Sequence, residues 1–161
     1  MQQREALWSF LDVVAGFDRS GKLRVLIADD HRLFAESLRA LLSEDDRIDV
    51  IGIALDGREA VEIATSLVPD VVLMDLNMPI VDGLEATRLI KAAGGPTRVV
   101  LLTGTEHPIS NAEAKDVGAD GFLRKEQGAK ELRETFFEVA LLISALGSPV
   151  RGASLNGEAS D

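Results

Sequence analysis

Five short apolar runs punctuate the middle of this chain: Leu23–Ala28, Val50–Leu55, Val71–Met74, Val99–Leu102 and Gly121–Leu123. The first, third and fourth are continuous rather than alternating, the pattern of strands buried on both faces, as in a parallel sheet. The fifth is too short to stand alone and is read from its spacing. Apolar residues at helical spacing fill the gaps. Leu33, Phe34, Leu38, Leu41 and Leu42 form one stripe. Ala60, Val61, Ala64 and Leu67 form a second, ended by Pro69; Leu84, Ala86, Leu89 and Ile90 form a third, ended by Gly94-Gly95-Pro96. The stretch Pro108–Val117 is weaker, anchored by Ile109, Ala112, Ala114 and Val117, and a strong helix is expected over about Ala129 to Leu146. Strand and helix that alternate five times imply βαβ units with right-handed crossovers. The expected fold is α/β, a (βα)₅ doubly wound parallel five-stranded sheet over residues 23–146.

Two segments flank this unit. In residues 1–22, Leu7, Phe10, Leu11, Val14 and Phe17 follow i, i+3, i+4, i+7 spacing, an amphipathic helix candidate closed by Gly16 or by Arg19-Ser20-Gly21. Residues 147–161, rich in Gly, Ser and Ala and without periodicity, read as a flexible tail.

Composition removes several function classes. A hydrophobic fraction of 46% allows a packed core and excludes disorder throughout. With 27 acidic against 17 basic residues, the net charge of −10 would be repelled by a phosphate backbone, so direct nucleic-acid binding by this chain is not expected. The absence of cysteine removes disulfides, Cys-ligated zinc and iron–sulfur sites, and two histidines, His31 and His107, are too few for a His-built metal centre. No apolar run approaches the roughly 18 residues a membrane span needs. Asp12 interrupts the best N-terminal apolar stretch, which weakens a secretory reading. A soluble, acidic, cytoplasmic protein is expected.

In an open α/β sheet, ligands bind outside the carboxyl ends of the strands. The first strand ends in Asp29-Asp30, the third in Asp75, the fourth in Thr103 and the fifth in Lys125; the second ends in Asp56-Gly57, an ordinary turn into a helix. Three carboxylates so close repel one another, and a hard divalent cation relieves that repulsion. An all-oxygen donor set points to Mg²⁺ over Zn²⁺. A carboxylate beside such an ion can act as nucleophile on phosphorus, with the Thr hydroxyl and Lys ammonium holding phosphoryl oxygens. Each residue alone fits a loop or helix-cap role; all five at the correct strand ends is the informative pattern.

These residues match a family. The stretches LRVLIADDHRLFAESLRALL, PDVVLMDLNMPIVDGLEATRLIK, VVLLTG and GADGFLRK resemble the receiver domain of two-component response regulators, over about Leu23 to Leu146. ADDHRLF, the LDG-EA stretch and DLNMP-DGLEA resemble the NarL/FixJ-type, which usually joins the receiver to a helix-turn-helix domain. The resemblance implies a flavodoxin-like strand order of 2-1-3-4-5. It implies Asp75 as phosphoacceptor, and Asp29, Asp30, Asp75 and the backbone carbonyl of Asn77 as the Mg²⁺ site. Lys125 would pair with the phosphoryl group. Thr103 and Phe122 would form the switch, with Thr103 bonding a phosphoryl oxygen and repacking the face of the fourth helix, fifth strand and fifth helix. The implied partner is a histidine kinase or histidine phosphotransfer protein, and the chain is not an enzyme beyond its own phosphoryl acceptance and loss. Glu126 stands where many receivers have proline, and Gly104 where Ala is usual. The missing proline is also common in the NarL/FixJ-type, and Gly104 leaves room above the phosphoryl group, a position that bears on the dephosphorylation rate.

Other features take plainer roles. Phe34 and Met74 read as core, His31 as a solvated or capping residue, and Met78-Pro79 as loop over the site. On the last helix, Phe137 and Leu141 add a second apolar line beside Leu132, Phe136, Val139, Ala140 and Ile143. That line suits self-association or docking of a helix over residues 5–17; a disordered leader is the rival reading. A homodimer would form through the fourth-helix/fifth-strand/fifth-helix face or through the N-terminal helix. The 15 residues of 147–161 leave no room for a helix-turn-helix, so a stand-alone receiver and the receiver part of a truncated transcriptional regulator both stay open. A phosphorylation-independent binding module is the alternative function, and a flavodoxin-type carrier is disfavoured because Asp29-Asp30 would repel a cofactor phosphate.

Overall fold

The computed structural model describes residues 22–104 and 109–146, and at 127, 137 and 139–146 the backbone only. The N-terminal helix candidate, the tail and the Phe137/Leu141 line lie outside what is described. The elements are β1 (Leu23–Ala28), α1 (Arg32–Leu42), β2 (Ile48–Ala54), α2 (Gly57–Leu67), β3 (Val71–Asp75), α3 (Gly83–Ala92), β4 (Arg98–Thr103), α4 (Asn111–Asp116), β5 (Gly121–Arg124), a 3₁₀ turn (Lys125–Gln127) and α5 (Ala129–Leu146). The strands form one sheet in the order β2-β1-β3-β4-β5, every pair parallel. This is the expected architecture and strand order.

The continuous apolar runs are explained by two cores, one on each face. Successive strand residues point to opposite faces. Val25 and Ile27 of β1, Val71 and Leu73 of β3, and Val100 and Leu102 of β4 face α1 and α5, where Ala35, Leu38, Leu42, Leu132 and Phe136 close the layer. Leu26, Ala28, Val72, Met74, Val99 and Leu101 face the other way, against Ala60, Ala64, Ala86, Ile90 and Ala114 of α2, α3 and α4. A strand walled on both sides has no polar position to alternate with.

Several expectations change in detail. β2 starts at Ile48, because the exposed Asp49 of this edge strand breaks the apolar run without breaking the pairing. Leu33 is 83% exposed, and α1 buries Ala35, Leu38 and Leu42 instead. Leu67 and Leu89 are also exposed, since the small Ala60, Ala64 and Ala86 take the sheet-facing positions and let the helices approach closely. α4 is only six residues, opened by a Ser110/Glu113 capping box.

Helix caps place the loops around the site. The Asp56 and Asp82 carboxylates each accept from the backbone N–H three residues on, Glu59 and Glu85, at 2.8 Å. Gly83 opens α3 directly beneath the end of β3: its N–H donates to Leu76 O at 2.9 Å. A Cβ there would lie 2.0 Å from the Asp75 carbonyl oxygen, so only glycine lets the helix start so close to the strand. At the opposite sheet edge Asp120, fully buried, accepts from Val99 N–H at 2.8 Å and pairs with Lys91 at 2.6 Å. That buried carboxylate stitches β4 to the turn before β5, a role the sequence pattern did not reveal.

Candidate functional site

The strand ends deliver the expected side chains to one place. Asp29 follows β1 and is fully buried; Asp75 ends β3 at 5% exposure; Thr103 ends β4 at 6%. Lys125 opens the turn after β5, and its ammonium lies 2.7 Å from Asp29 Oδ2 and 3.6 Å from Asp75 Oδ1. The first contact is an ion pair by distance without hydrogen-bond alignment, for Asp29 Oδ2 has no hydrogen-bond partner. Asp29 is oriented through its other oxygen, which accepts from the His31 backbone N–H at 2.8 Å. The Lys125 ammonium also stands 4.8 Å from the centre of the Phe34 ring, a cation–π contact that gives this half-buried core residue a part in the site.

Asp75 is electrostatically frustrated. Burial is the first cause that raises its carboxyl from 3.8 to about 6; the Asp29 and Asp30 charges add to this, while Lys125 and His31 oppose it. Its Oδ2 is buried with no hydrogen-bond partner. A carboxylate oxygen held dry and unbonded among other carboxylates is an atom prepared for a cation or an electrophile. Asp29, Asp30, His31 and Asp75 each offer a ligand atom within 4.8 Å of one another. The three carboxylates and the orphaned oxygen fit a hard divalent cation such as Mg²⁺.

His31 was expected to be solvated or to cap α1. It stands at the N-cap, but its side chain makes no capping bond. Nδ1 instead lies 3.2 Å from Asp29 Oδ1, 3.3 Å from Asp30 Oδ1 and 3.1 Å from Lys125 Nζ. His31 thus lies against the charged side chains of the site while remaining 67% exposed. Only the position of His31 directly after the acidic pair could have signalled this.

The remaining candidate residues lie on β4, on β5 and in the loop after β3. The Thr103 hydroxyl donates to Leu123 O on β5 at 3.3 Å. Phe122, also on β5, is buried in the core against α2, α3 and α4. Asn77 is exposed in the loop after β3 and, with Asp75, lines a cleft of about 720 Å³. His31, Leu33, Phe34 and Ala129 form other parts of its wall. A Cβ on Gly104 would meet nothing within 4 Å, so the mouth is open on that side.

The sequence model of the response regulator receiver domain matches residues 25–137. The chain belongs to the response regulator receiver family. This receiver is 36% identical over 136 residues to the probable transcriptional regulatory protein NarL of Mycobacterium tuberculosis, covering 84% of the chain and 61% of that protein. It is 39% identical over 107 residues to the transcriptional regulatory protein LnrK of Bacillus subtilis, covering 66% of the chain and 49% of that protein. It is also 40% identical to a protein-glutamate methylesterase/protein-glutamine glutaminase of Carboxydothermus hydrogenoformans, over 70% of the chain but only 32% of that protein. The chain thus spans between about a third and three fifths of the length of these relatives. Among solved structures, the receiver domain of the M. tuberculosis NarL superposes with a TM-score of 0.66 at 35% identity, covering 74% of this chain and 96% of that one. The response regulator domain of Thermotoga maritima CheB superposes with a TM-score of 0.69 at 31% identity, covering 77% and 97%. Among the described residues, no helix is long and apolar enough to cross a membrane.

Proposed function

We propose that this receiver is a phosphorylation-dependent switch in two-component signal transduction, accepting a phosphoryl group on Asp75. The observation that carries the reading is Asp75 itself, clustered with Asp29 and Asp30, its Oδ1 3.6 Å from the Lys125 ammonium and its Oδ2 buried and unbonded. The carboxylate oxygen of Asp75 forms a bond to phosphorus as the donor's N–P bond breaks, and the leaving nitrogen keeps the electron pair. The donor is the phosphohistidine of a histidine kinase or histidine phosphotransfer protein in the cytoplasm, entering by the cleft beside Asp75.

Asp29, Asp30, Asp75 and the Asn77 backbone carbonyl are the residues that would hold Mg²⁺. When bound, that ion neutralises the carboxylates and the charge developing on the phosphoryl oxygens. The Lys125 ammonium, 3.6 Å from Asp75 Oδ1, is within a small side-chain shift of a phosphoryl oxygen. The Thr103 hydroxyl would leave Leu123 O for another phosphoryl oxygen, freeing β5 and letting Phe122 repack. The α4–β5–α5 face then carries the output, to a partner protein or a second copy of the chain. The aspartyl phosphate ends when water attacks phosphorus and inorganic phosphate leaves. No substrate other than the chain itself is transformed.

Intact mass after incubation with acetyl phosphate tests this. One added phosphoryl group is expected with Mg²⁺, and none with chelator or in Asp75→Asn. No addition, together with undetectable Mg²⁺ binding, would move the reading to a phosphorylation-independent binding module.

A further inference from the structure

Lys125 carries its charge on a flexible four-carbon stem that starts in the turn after β5, so its neighbours decide where the ammonium stops. Four of them stand close. Asp29 Oδ2 lies at 2.7 Å, His31 Nδ1 at 3.1 Å, Asp75 Oδ1 at 3.6 Å and the centre of the Phe34 ring at 4.8 Å. The first three belong to the charged cluster, and their hold follows its state. The two carboxylates attract the ammonium less once a cation takes up their charge. His31 Nδ1 accepts only while it carries no proton. The attraction of the Phe34 face comes from its quadrupole and depends on neither condition.

Phe34 is itself held in place. It stands on α1 and packs against the core layer that contains Ala35, Leu38, Leu132 and Phe136. It is half-buried and lines the same cleft as Lys125 and Asp75. The Lys125 side chain is only 17% exposed, and a cation–π contact strengthens as water is excluded.

We propose that Phe34 is a positioning residue, its ring face keeping the Lys125 ammonium beside Asp75 while the phosphoryl group is accepted. Phe34 acts through Lys125 rather than on the reacting atoms. The inference rests on the receiver reading for what the ammonium does to a phosphoryl oxygen, and adds what keeps it within reach. A residue that only fills the core needs volume, so leucine would serve. A partner for the ammonium needs an electron-rich face.

The test uses the full chain with Phe34→Leu, Phe34→Tyr and pentafluorophenylalanine at position 34, which keeps the shape of the ring and reverses the charge of its face. In the metal-free wild type, NMR is expected to show the Lys125 Hε protons shifted upfield by the ring. That shift is expected to shrink with the fluorinated ring. With acetyl phosphate and Mg²⁺, the rate of mass gain is expected to fall about fivefold or more in the leucine and fluorinated proteins, the scale of one shielded cation–π contact. Tyrosine is expected to restore it to within about twofold. Thermal melting checks that each variant is folded, and the fluorinated ring keeps the test open should leucine disturb the core. Absence of the upfield shift in the wild type, or a tyrosine variant as slow as leucine, overturns the proposal. A mass gain as fast with the fluorinated ring as with phenylalanine overturns this inference alone. The expected shifts without a mass gain in any protein overturn the phosphorylation reading alone.

Discussion

The Lys125 ammonium sits nearer to Asp29 than to Asp75, 2.7 Å against 3.6 Å. It therefore neutralises the deepest carboxylate while leaving the acceptor's second oxygen unbonded. Lys125→Ala removes the one ammonium among three carboxylates and is expected to lower the stability of the metal-free protein by roughly 1–3 kcal/mol. Urea denaturation checks this, and added Mg²⁺ is expected to restore part of the loss. An unchanged midpoint would mean that Lys125 does not balance these charges.

Asp75 gives a pH signature. Its folded-state value of about 6 lies above the ordinary 3.8, so the folded chain holds the proton more tightly than the unfolded one. Stability is highest where both states are protonated, and falls as pH rises from about 4 through 6. Asp75→Asn is expected to melt higher than the metal-free wild type at pH 7.5, with the gap closing as pH falls below 6 toward 4. A gap independent of pH, read by thermal denaturation across that range, would contradict the frustrated carboxylate.

Thr103 couples the site to β5 through its bond to Leu123 O. Thr103→Ala is expected to keep the mass gain from acetyl phosphate but lose the NMR shifts at Phe122 that accompany it in the wild type. Thr103→Ser, which keeps the hydroxyl, is expected to restore them. Identical shifts in the Ala variant would remove Thr103 from the switch.

Gly83 holds α3 against the end of β3. Because a Cβ would lie 2.0 Å from Asp75 O, Gly83→Ala must push helix and strand apart. It is expected to cost about 2 kcal/mol or more in denaturant titrations, and to slow phosphoryl acceptance by moving the acceptor. A neutral substitution would show that this contact does not set the position of Asp75.

Ile80 in the same loop carries strain of the opposite kind. It is 73% exposed with φ of 73°, a left-handed backbone that a β-branched residue rarely adopts. Ile80→Gly is expected to stabilise the fold by about 1 kcal/mol, measured by thermal melting. A loss of stability would mean that the side chain's contacts outweigh the backbone cost.

The sheet was legible because its strands are walled by two cores, which leaves runs such as Val71–Met74 with no polar residue. The acidic site was legible because strand ends converge by topology, so Asp29, Asp30, Asp75 and Lys125 needed only their order in the chain. Helix faces were less so. Leu33 fits an apolar stripe yet points to solvent, since Ala35, Leu38 and Leu42 take the sheet-facing positions of α1. The side chain of His31 was hidden because its surroundings include Lys125, brought from the turn after β5, which no spacing along α1 encodes. Asp120 was hidden likewise, its partners Lys91 and Arg98 being brought by α3 and β4.

The central claim is that the carboxylate at position 75 becomes an acyl phosphate. Borohydride reduces an acyl phosphate to an alcohol, so an aspartyl phosphate is trapped as homoserine. After acetyl phosphate, Mg²⁺ and borohydride, peptide mass spectrometry is expected to find homoserine at position 75 and nowhere else. Homoserine at position 29 or 30, or at none of the three, would contradict the account.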